Sequence, residues 1–333
     1  SSTSSSSGGD PCGGACVGGA TCGTANGLPV CRAPSGIPAF SHVFVIVMEN
    51  FSLSTLQTAM SSNGAPNLKA MASKYATGSD YHGVAHPSLP NYIALTSGDT
   101  QGIACDCKAV SGPGDCASFI DCSLGNCPCA NLPAMHLGDQ LEIAQKSWMD
   151  FGEGMGTPCN LTDNAATKYA VRHVPFLYYD NVEANAARCN AHVVDFSAFD
   201  PNSAANFNFI APNLTNDMHD PSLLPPAGPQ NILNGDMWIG PQVDAIMASM
   251  AYTKGGLLVV VWDEDDGSGG LLKNTDDPIG IFVMSPYAKS PGFVSAVKAD
   301  HYSLLATIED GLGLPRLGKA AAAQPLADYF PAN

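Results

Sequence analysis

Five apolar runs set the rhythm of the chain. Val43-Phe44-Val45-Ile46-Val47-Met48 and Leu257-Leu258-Val259-Val260-Val261-Trp262 are unbroken and rich in β-branched residues, and Gly280-Ile281-Phe282-Val283-Met284 is nearly so. Runs of this kind mark strands covered on both faces, as in a parallel sheet. Ser147-Trp148-Met149-Asp150-Phe151 and Asn206-Phe207-Asn208-Phe209-Ile210 read as two further strands. Between them the apolar positions fall into helical spacing: Leu68, Met71, Ala72 and Tyr75 in 66–76, a stretch around 137–145, Ile239, Val243, Ile246, Met247 and Met250 in 236–254, and a helix opening at His301 and stopped by Gly311 or Gly313. The methionine-bearing stripe of 236–254 reads as core. Strands alternating with helices predict an α/β fold, a three-layer sandwich with a mostly parallel central sheet.

The polar residues that matter sit where these elements end. Glu49-Asn50 follow the first strand at once, His219 lies among aspartates beyond the 206–210 strand, and Asp263-Glu264-Asp265-Asp266 close the Trp262 strand. In open α/β sheets, ligands bind outside the carboxyl ends of the strands. Four adjacent carboxylates there repel one another unless a cation sits among them, although a solvated acidic turn reads the same way. In His86-Pro87-Ser88-Leu89-Pro90-Asn91-Tyr92 the two prolines place Ser88 just ahead of a helix that Gly98 closes. Unpaired backbone N–H groups at that point hold phosphate oxygens and favour a serine alkoxide. An ordinary N-cap serine fits the stretch equally well. Lys168, Arg172 and His173 gather cationic groups within six residues, either for an anionic ligand or as a solvated helix face.

Charge and cysteine content narrow the class. Thirty acidic against fourteen basic residues give a net charge of −16, which repels nucleic acid and anionic membrane surfaces. No apolar run is long enough to span a membrane, so no stable membrane insertion is expected and the protein reads as a soluble monomer. Twelve cysteines point to disulfides and to a secreted, extracellular or periplasmic location. Residues 1–36 form a Ser/Gly/Cys-rich segment, a tether to the cell surface followed by a part stapled by two bridges among Cys12, Cys16, Cys22 and Cys31; zinc is the rival reading of these four. Residues 37–333 form the catalytic domain, with a cysteine-rich insert at about 104–131. Its six cysteines, with Cys159 and Cys189, are expected to make four more bridges.

The blocks IVMEN, AHPSLPNYIALTSG, KYAVRHVPF, PNLTNDMHD followed by GDMW, VVVWDEDDG and DHYSLLATIEDGLGLPRLG together resemble the phosphoesterase family of secreted, SapM-type acid phosphatases. The wider family includes bacterial phospholipases C and belongs to the alkaline-phosphatase superfamily. The likeness covers roughly residues 40 to 330, with the blocks in the family's order. It implies that Ser88 is the nucleophile of a phosphoserine mechanism and that Glu49, Asn50, Ser88, Asp263 and Glu264 hold one divalent metal ion (Ca, Mg, Mn or Zn). His173 and His219 are implied around the phosphate, one of them protonating the leaving alcohol. His86, Asn91, Lys168 and His301 are the further substrate-binding candidates. A second metal would draw on His219, His301 and Asp217, whose spacing does not compel one.

The expected reaction is metal-dependent hydrolysis of a phosphomonoester, with a phosphoinositide as one substrate. A phospholipase C-type phosphodiesterase is the alternative, and a non-catalytic adhesion protein on a hydrolase scaffold is the alternative of another class. Ser88 lacks the Cys/Ser-x-Pro-x-Arg context of a sulfatase, since Tyr92 stands where arginine would. No Gly-x-Ser-x-Gly elbow points to a carboxyl-ester hydrolase.

Overall fold

A computed structural model describes residues 12, 16, 18–107, 109, 131–220, 229–266 and 276–332. All five apolar runs are strands of one eight-stranded sheet. Its order is Val294–Ser295, Ala76–Gly78, Ile281–Met284, Leu257–Trp262, Val43–Met48, Phe207–Ala211, Trp148–Gly152, Val193–Asp195. Ile281–Met284 runs antiparallel to both neighbours and every other pairing is parallel. Every residue of Val43–Met48 and Leu257–Trp262 is buried, which is why these strands are apolar on both faces rather than alternating.

Two groups of helices complete the layers. Leu53–Ser61, Pro66–Lys74 and Pro229–Ala248 pack on one another, while Ser88–Ser97 packs against His301–Leu312 and Leu137–Ile143. His301–Leu312 stops at Gly313, whose φ of 71° is the left-handed conformation glycine adopts without strain. The helix expected over 236–254 instead ends at Ala248, and Ser249 caps a separate turn, Met250–Thr253, by accepting from the Tyr252 N–H. Met250 is therefore 61% exposed and the buried stripe ends at Ile246. Ala76, read as the end of a helix, opens a three-residue strand.

The amino-terminal segment folds as a hairpin, Thr21–Ala25 with Leu28–Arg32, and places Cys22 opposite Cys31. Two bridges staple it, Cys12 to Cys22 and Cys16 to Cys31, so those sulfurs are not offered to zinc. Asn26 at its tip donates to the carbonyls of Pro286 and Ala288, which ties the hairpin to the body. Cys159 pairs with Cys189, apart from the insert, rather than with an insert cysteine. The connectivity expected for Cys116, Cys122, Cys127 and Cys129 lies outside the described residues. Among the described residues no helix is long and apolar enough to cross a membrane.

One helix start is held by a remote side chain. Pro66–Lys74 has no cap of its own, and buried Asp236 supplies one: Oδ1 accepts from the Leu68 N–H at 2.7 Å and Oδ2 from the Asn67 N–H at 3.0 Å. Asp236→Ala leaves two inward-facing donors unpaired, at about 1–3 kcal/mol. The expected outcome is a lower melting temperature with KM unchanged, measured by calorimetry and steady-state kinetics.

Candidate active site

The site grows out of strand order. Val43–Met48 lies between Leu257–Trp262 and Phe207–Ala211, all three parallel, so the chain leaves each strand at the same edge of the sheet. Met48 is in register with Trp262, which sets Glu49 beside Asp263; the Asp263 N–H donates to the Met48 carbonyl at 2.9 Å. On the other side the Glu49 N–H donates to the Asp217 carbonyl at 2.8 Å. Asn50 (φ 50°) and Met218 (φ 82°) take left-handed backbone conformations here, and such strain collects at sites that position side chains.

Ser88 is the first residue of the Ser88–Ser97 helix, whose ten residues are all buried, and Pro87 holds the capping position with no side-chain cap bond. Ser88 is thus not the N-cap, and its hydroxyl turns to the strand ends. Asn91 fixes the approach: its Oδ1 accepts from the N–H groups of Val84 (2.8 Å) and Ala85 (3.1 Å), and its Nδ2 donates to the carbonyls of Ala85 and Pro87. Asn91 braces the loop before Ser88, with both ends of its amide committed to backbone. Gly83 lets that loop close in, since a Cβ there would stand 2.8 Å from the Asp263 carbonyl oxygen.

Three acceptor oxygens surround the Ser88 hydroxyl: Glu49 Oε2 at 2.9 Å, Glu264 Oε1 at 3.1 Å and Asn50 Oδ1 at 3.5 Å. A hydroxyl has one hydrogen to give, so it satisfies only one of these oxygens and the others need a proton of their own or a cation. Asp263 gives Oδ1 to the Asn50 N–H at 3.0 Å, and its Oδ2 is buried with no hydrogen-bond donor. His86, partly exposed, pairs through Nδ1 with Glu264 Oε2 and stands 3.6 Å through Nε2 from Asp265 Oδ2.

His173 lies deeper than a group that must reach a leaving alcohol. It is buried, stacked on Tyr92 at 5.1 Å between ring centres, with Nε2 3.4 Å from Glu49 Oε1 and Nδ1 3.2 Å from Asp217 Oδ2, both outside hydrogen-bond geometry. Tyr92 itself donates to Glu49 Oε1. His219 sits nearer the surface, its Nε2 3.2 Å from Arg172 Nη2; a guanidinium only donates, so that nitrogen accepts and the ring proton is on Nδ1. His301 does not face the group. Its Nε2 donates to the Asp263 carbonyl at 2.6 Å and its Nδ1 accepts from the Tyr81 hydroxyl at 3.0 Å, so it positions the strand end. Lys168 is at the rim, ion-paired at 2.6 Å with Asp220.

Burial of this much negative charge governs the electrostatics. Glu49 is raised well above the usual carboxylate range by burial and then by Asp263 and Asp217. Asp263 is raised well above it by burial and then by Glu264, and Asp217 is raised by burial foremost. Glu264 is raised less, since His86 offsets its burial. Burial lowers His301 to about 4, and burial together with Arg172 lowers both His173 and His219.

The donor set fits a hard divalent cation. Glu49, Asn50, Ser88, Asp263 and Glu264 offer oxygens only, around a hydroxyl with more acceptors than protons and beside an orphaned buried carboxylate oxygen. Among the described residues, no three carboxylate or imidazole atoms here lie within 4.8 Å of one another; the one such set is Cys12, Cys16 and Cys22, already in disulfides. The carboxylates stand open around Ser88 instead of closing on a centre.

Arg172 and Asp106 join the site without having been singled out by spacing. Arg172 was one of three cationic residues in 168–173, and the signal that would have separated it from Lys168 is its place beside His173 in a buried turn, Val171–His173. Asp106, inside the insert, carried no pattern at all.

Comparisons with known proteins place this arrangement in two steps. The fold is that of the alkaline-phosphatase superfamily: a superfamily member from Vibrio parahaemolyticus superposes with a TM-score of 0.55 over 86% of this chain and 70% of its own, at 11% identity. The phosphoesterase family model matches residues 47–315. A phosphatidylinositol-3-phosphatase of Mycobacterium tuberculosis is 31% identical over 90% of this chain and 85% of its own. An acid phosphatase of Aspergillus fumigatus is 25% identical over 84% of this chain, which spans 57% of that relative's length. The chain belongs to the phosphoesterase family and is an enzyme of the phosphoric monoester hydrolase class.

The raised carboxylates make stability depend on pH. An acid whose folded pKa exceeds its unfolded value binds more protons when folded, so stability is greatest below the unfolded pKa, near 4, and falls as pH rises through the folded value. Glu49, Asp217, Asp263 and Glu264 all shift in that direction. Chelator-stripped protein is expected to lose melting temperature between about pH 5 and 8, and added divalent cation is expected to restore more at pH 8 than at pH 5. Differential scanning calorimetry at the two pH values checks both.

Proposed function

We propose that the protein is a secreted, metal-dependent acid phosphatase that hydrolyses phosphate monoesters through a phosphorylated Ser88. The observation that carries this is the placement of the Ser88 hydroxyl at a buried helix start, encircled by oxygens of Glu49, Asn50 and Glu264. Those three residues, Ser88 and Asp263 would hold the divalent cation, which when bound stabilises the alkoxide and the charge of the phosphoryl group.

The chain's own groups account for the remaining work. Glu49 and Glu264 stand within hydrogen-bond reach of the hydroxyl, so their carboxylate oxygens are placed to take its proton. The Ser88 oxygen attacks phosphorus in line, the phosphorus–oxygen bond to the alcohol breaks, and the alcohol leaves with a proton from an imidazole. His219 and His86 are the two site histidines with partly exposed side chains, and His219 is the one beside Arg172. Water then cleaves the phosphoserine, returning the proton and releasing inorganic phosphate.

The named relatives favour a monoesterase over a phospholipase C-type diesterase: one is a phosphatidylinositol-3-phosphatase and the fungal relative is an acid phosphatase. A phosphatidylinositol monophosphate is accordingly the lipid substrate to test. The disulfides in the amino-terminal hairpin and between Cys159 and Cys189 support an oxidising, extracytoplasmic location.

Ser88→Ala is expected to lower kcat on p-nitrophenyl phosphate by about 10³-fold or more, with an unchanged circular dichroism spectrum, and to abolish phosphate incorporation in an acid-quenched reaction. Near-full turnover by this variant would remove the proposed nucleophile. Phosphatidylcholine and phosphatidylinositol 3-phosphate, assayed side by side, separate diesterase from monoesterase.

A further inference from the structure

The start of the Ser88–Ser97 helix already holds an anion, and it comes from the chain itself. Asp106 Oδ1 accepts from the Leu89 N–H at 2.9 Å, and Oδ2 is 3.5 Å from Arg172 Nε. Leu89 directly follows the proposed nucleophile, so this carboxylate is held at the same helix start as Ser88. Asp106 is held there by its neighbours: Cys105 and Cys107 are both buried, and the Cys107 carbonyl accepts from the buried Tyr178 hydroxyl. Asp106 adds a carboxylate to a region that already buries Glu49, Asp217, Asp263 and Glu264. A further carboxylate beside these is offset here by the hydrogen bond from the Leu89 N–H and the nearby charge of Arg172. The side chain is partly open to solvent, so the place is accessible.

We propose that Asp106 is a specificity-determining residue, an internal stand-in for the phosphoryl group. Its carboxylate occupies the position of one phosphoryl oxygen, between the Leu89 N–H and Arg172, and substrate binds by displacing it. This rests on the Ser88 reading and deepens it by naming what the site selects. A phosphomonoester dianion replaces one negative charge with two and gains from the exchange. A phosphodiester monoanion replaces one with one and gains little. Competition with a tethered carboxylate therefore lowers affinity for every phosphate and penalises diesters more than monoesters.

The test is Asp106→Asn, which keeps an oxygen for the Leu89 N–H and removes the charge, alongside Asp106→Ala. KM for p-nitrophenyl phosphate and the competitive inhibition constant of inorganic phosphate are both expected to fall about tenfold in Asp106→Asn, the scale of one charge-assisted hydrogen bond. The monoester-to-diester ratio of kcat/KM, with bis(p-nitrophenyl) phosphate as the diester, is expected to narrow. An unchanged or raised KM, together with unchanged or weaker phosphate inhibition, overturns the proposal. Should neither variant fold, the wild-type chain carries the test: a phosphate titration followed by the carboxyl ¹³C signal of Asp106 is expected to move that signal, and a signal unmoved at saturation overturns displacement. Failure of the Ser88 reading shows separately, as turnover in Ser88→Ala, whatever Asp106 does.

Discussion

The burial of several acids around one hydroxyl governs everything else in this site. Glu49, Asp263, Glu264 and Asp217 are withdrawn from water at the ends of adjacent strands, and burial is the largest influence on each. Removing a carboxylate from water is costly, and placing several together compounds the cost unless positive charge or protons intervene. Histidine offsets this only at Glu264, through His86, because His173, beside Glu49 and Asp217, is itself shifted toward neutrality by the same burial. A ligand that brought positive charge would relieve the cluster, since the helix start opposite contributes only the partial positive charge of its N–H groups.

The scaffold resists relaxation of that cluster. Backbone hydrogen bonds tie Asp263 to Met48 and Glu49 to Asp217, while His301 clamps the Asp263 carbonyl from the far side and Asn91 locks the loop ahead of Ser88. Asn91 and His301, substrate-binding candidates in the sequence, have their polar atoms bonded to backbone or to Tyr81. Their contribution is rigidity, which a catalytic constellation needs as much as its reacting atoms.

Much of the architecture was legible because it rests on local periodicity. The unbroken runs at 43–48 and 257–262 could only be strands covered on both faces, and the polar residues directly after them had to emerge at the edge where ligands sit. Short strands escaped notice: Ala76–Gly78 and Val294–Ser295 carry too few residues for a pattern, and their pairing is decided by neighbours distant in sequence. In the same way, a run of cationic residues at 168–173 did not say which would turn inward. Lys168 found Asp220 at the surface, while Arg172 found His219 and Asp106. Asp106 was invisible because its meaning lies wholly in a tertiary contact with the Leu89 N–H.

The reversed direction of Ile281–Met284 has an architectural effect on the neighbourhood of Glu264. A parallel partner for Leu257–Trp262 would oblige the chain to travel the length of the sheet and back through a crossover helix. An antiparallel one lets it leave and re-enter at the same end of the sheet, and the described ends of the connection meet the start of Leu53–Ser61: Asp266 accepts from Thr55 and the Leu53 N–H donates to the Pro278 carbonyl. The reversal therefore gathers the carboxylates after Trp262, the start of Ile281–Met284 and a helix start at one corner of the sandwich, so that a change in any of the three is felt first beside Ser88.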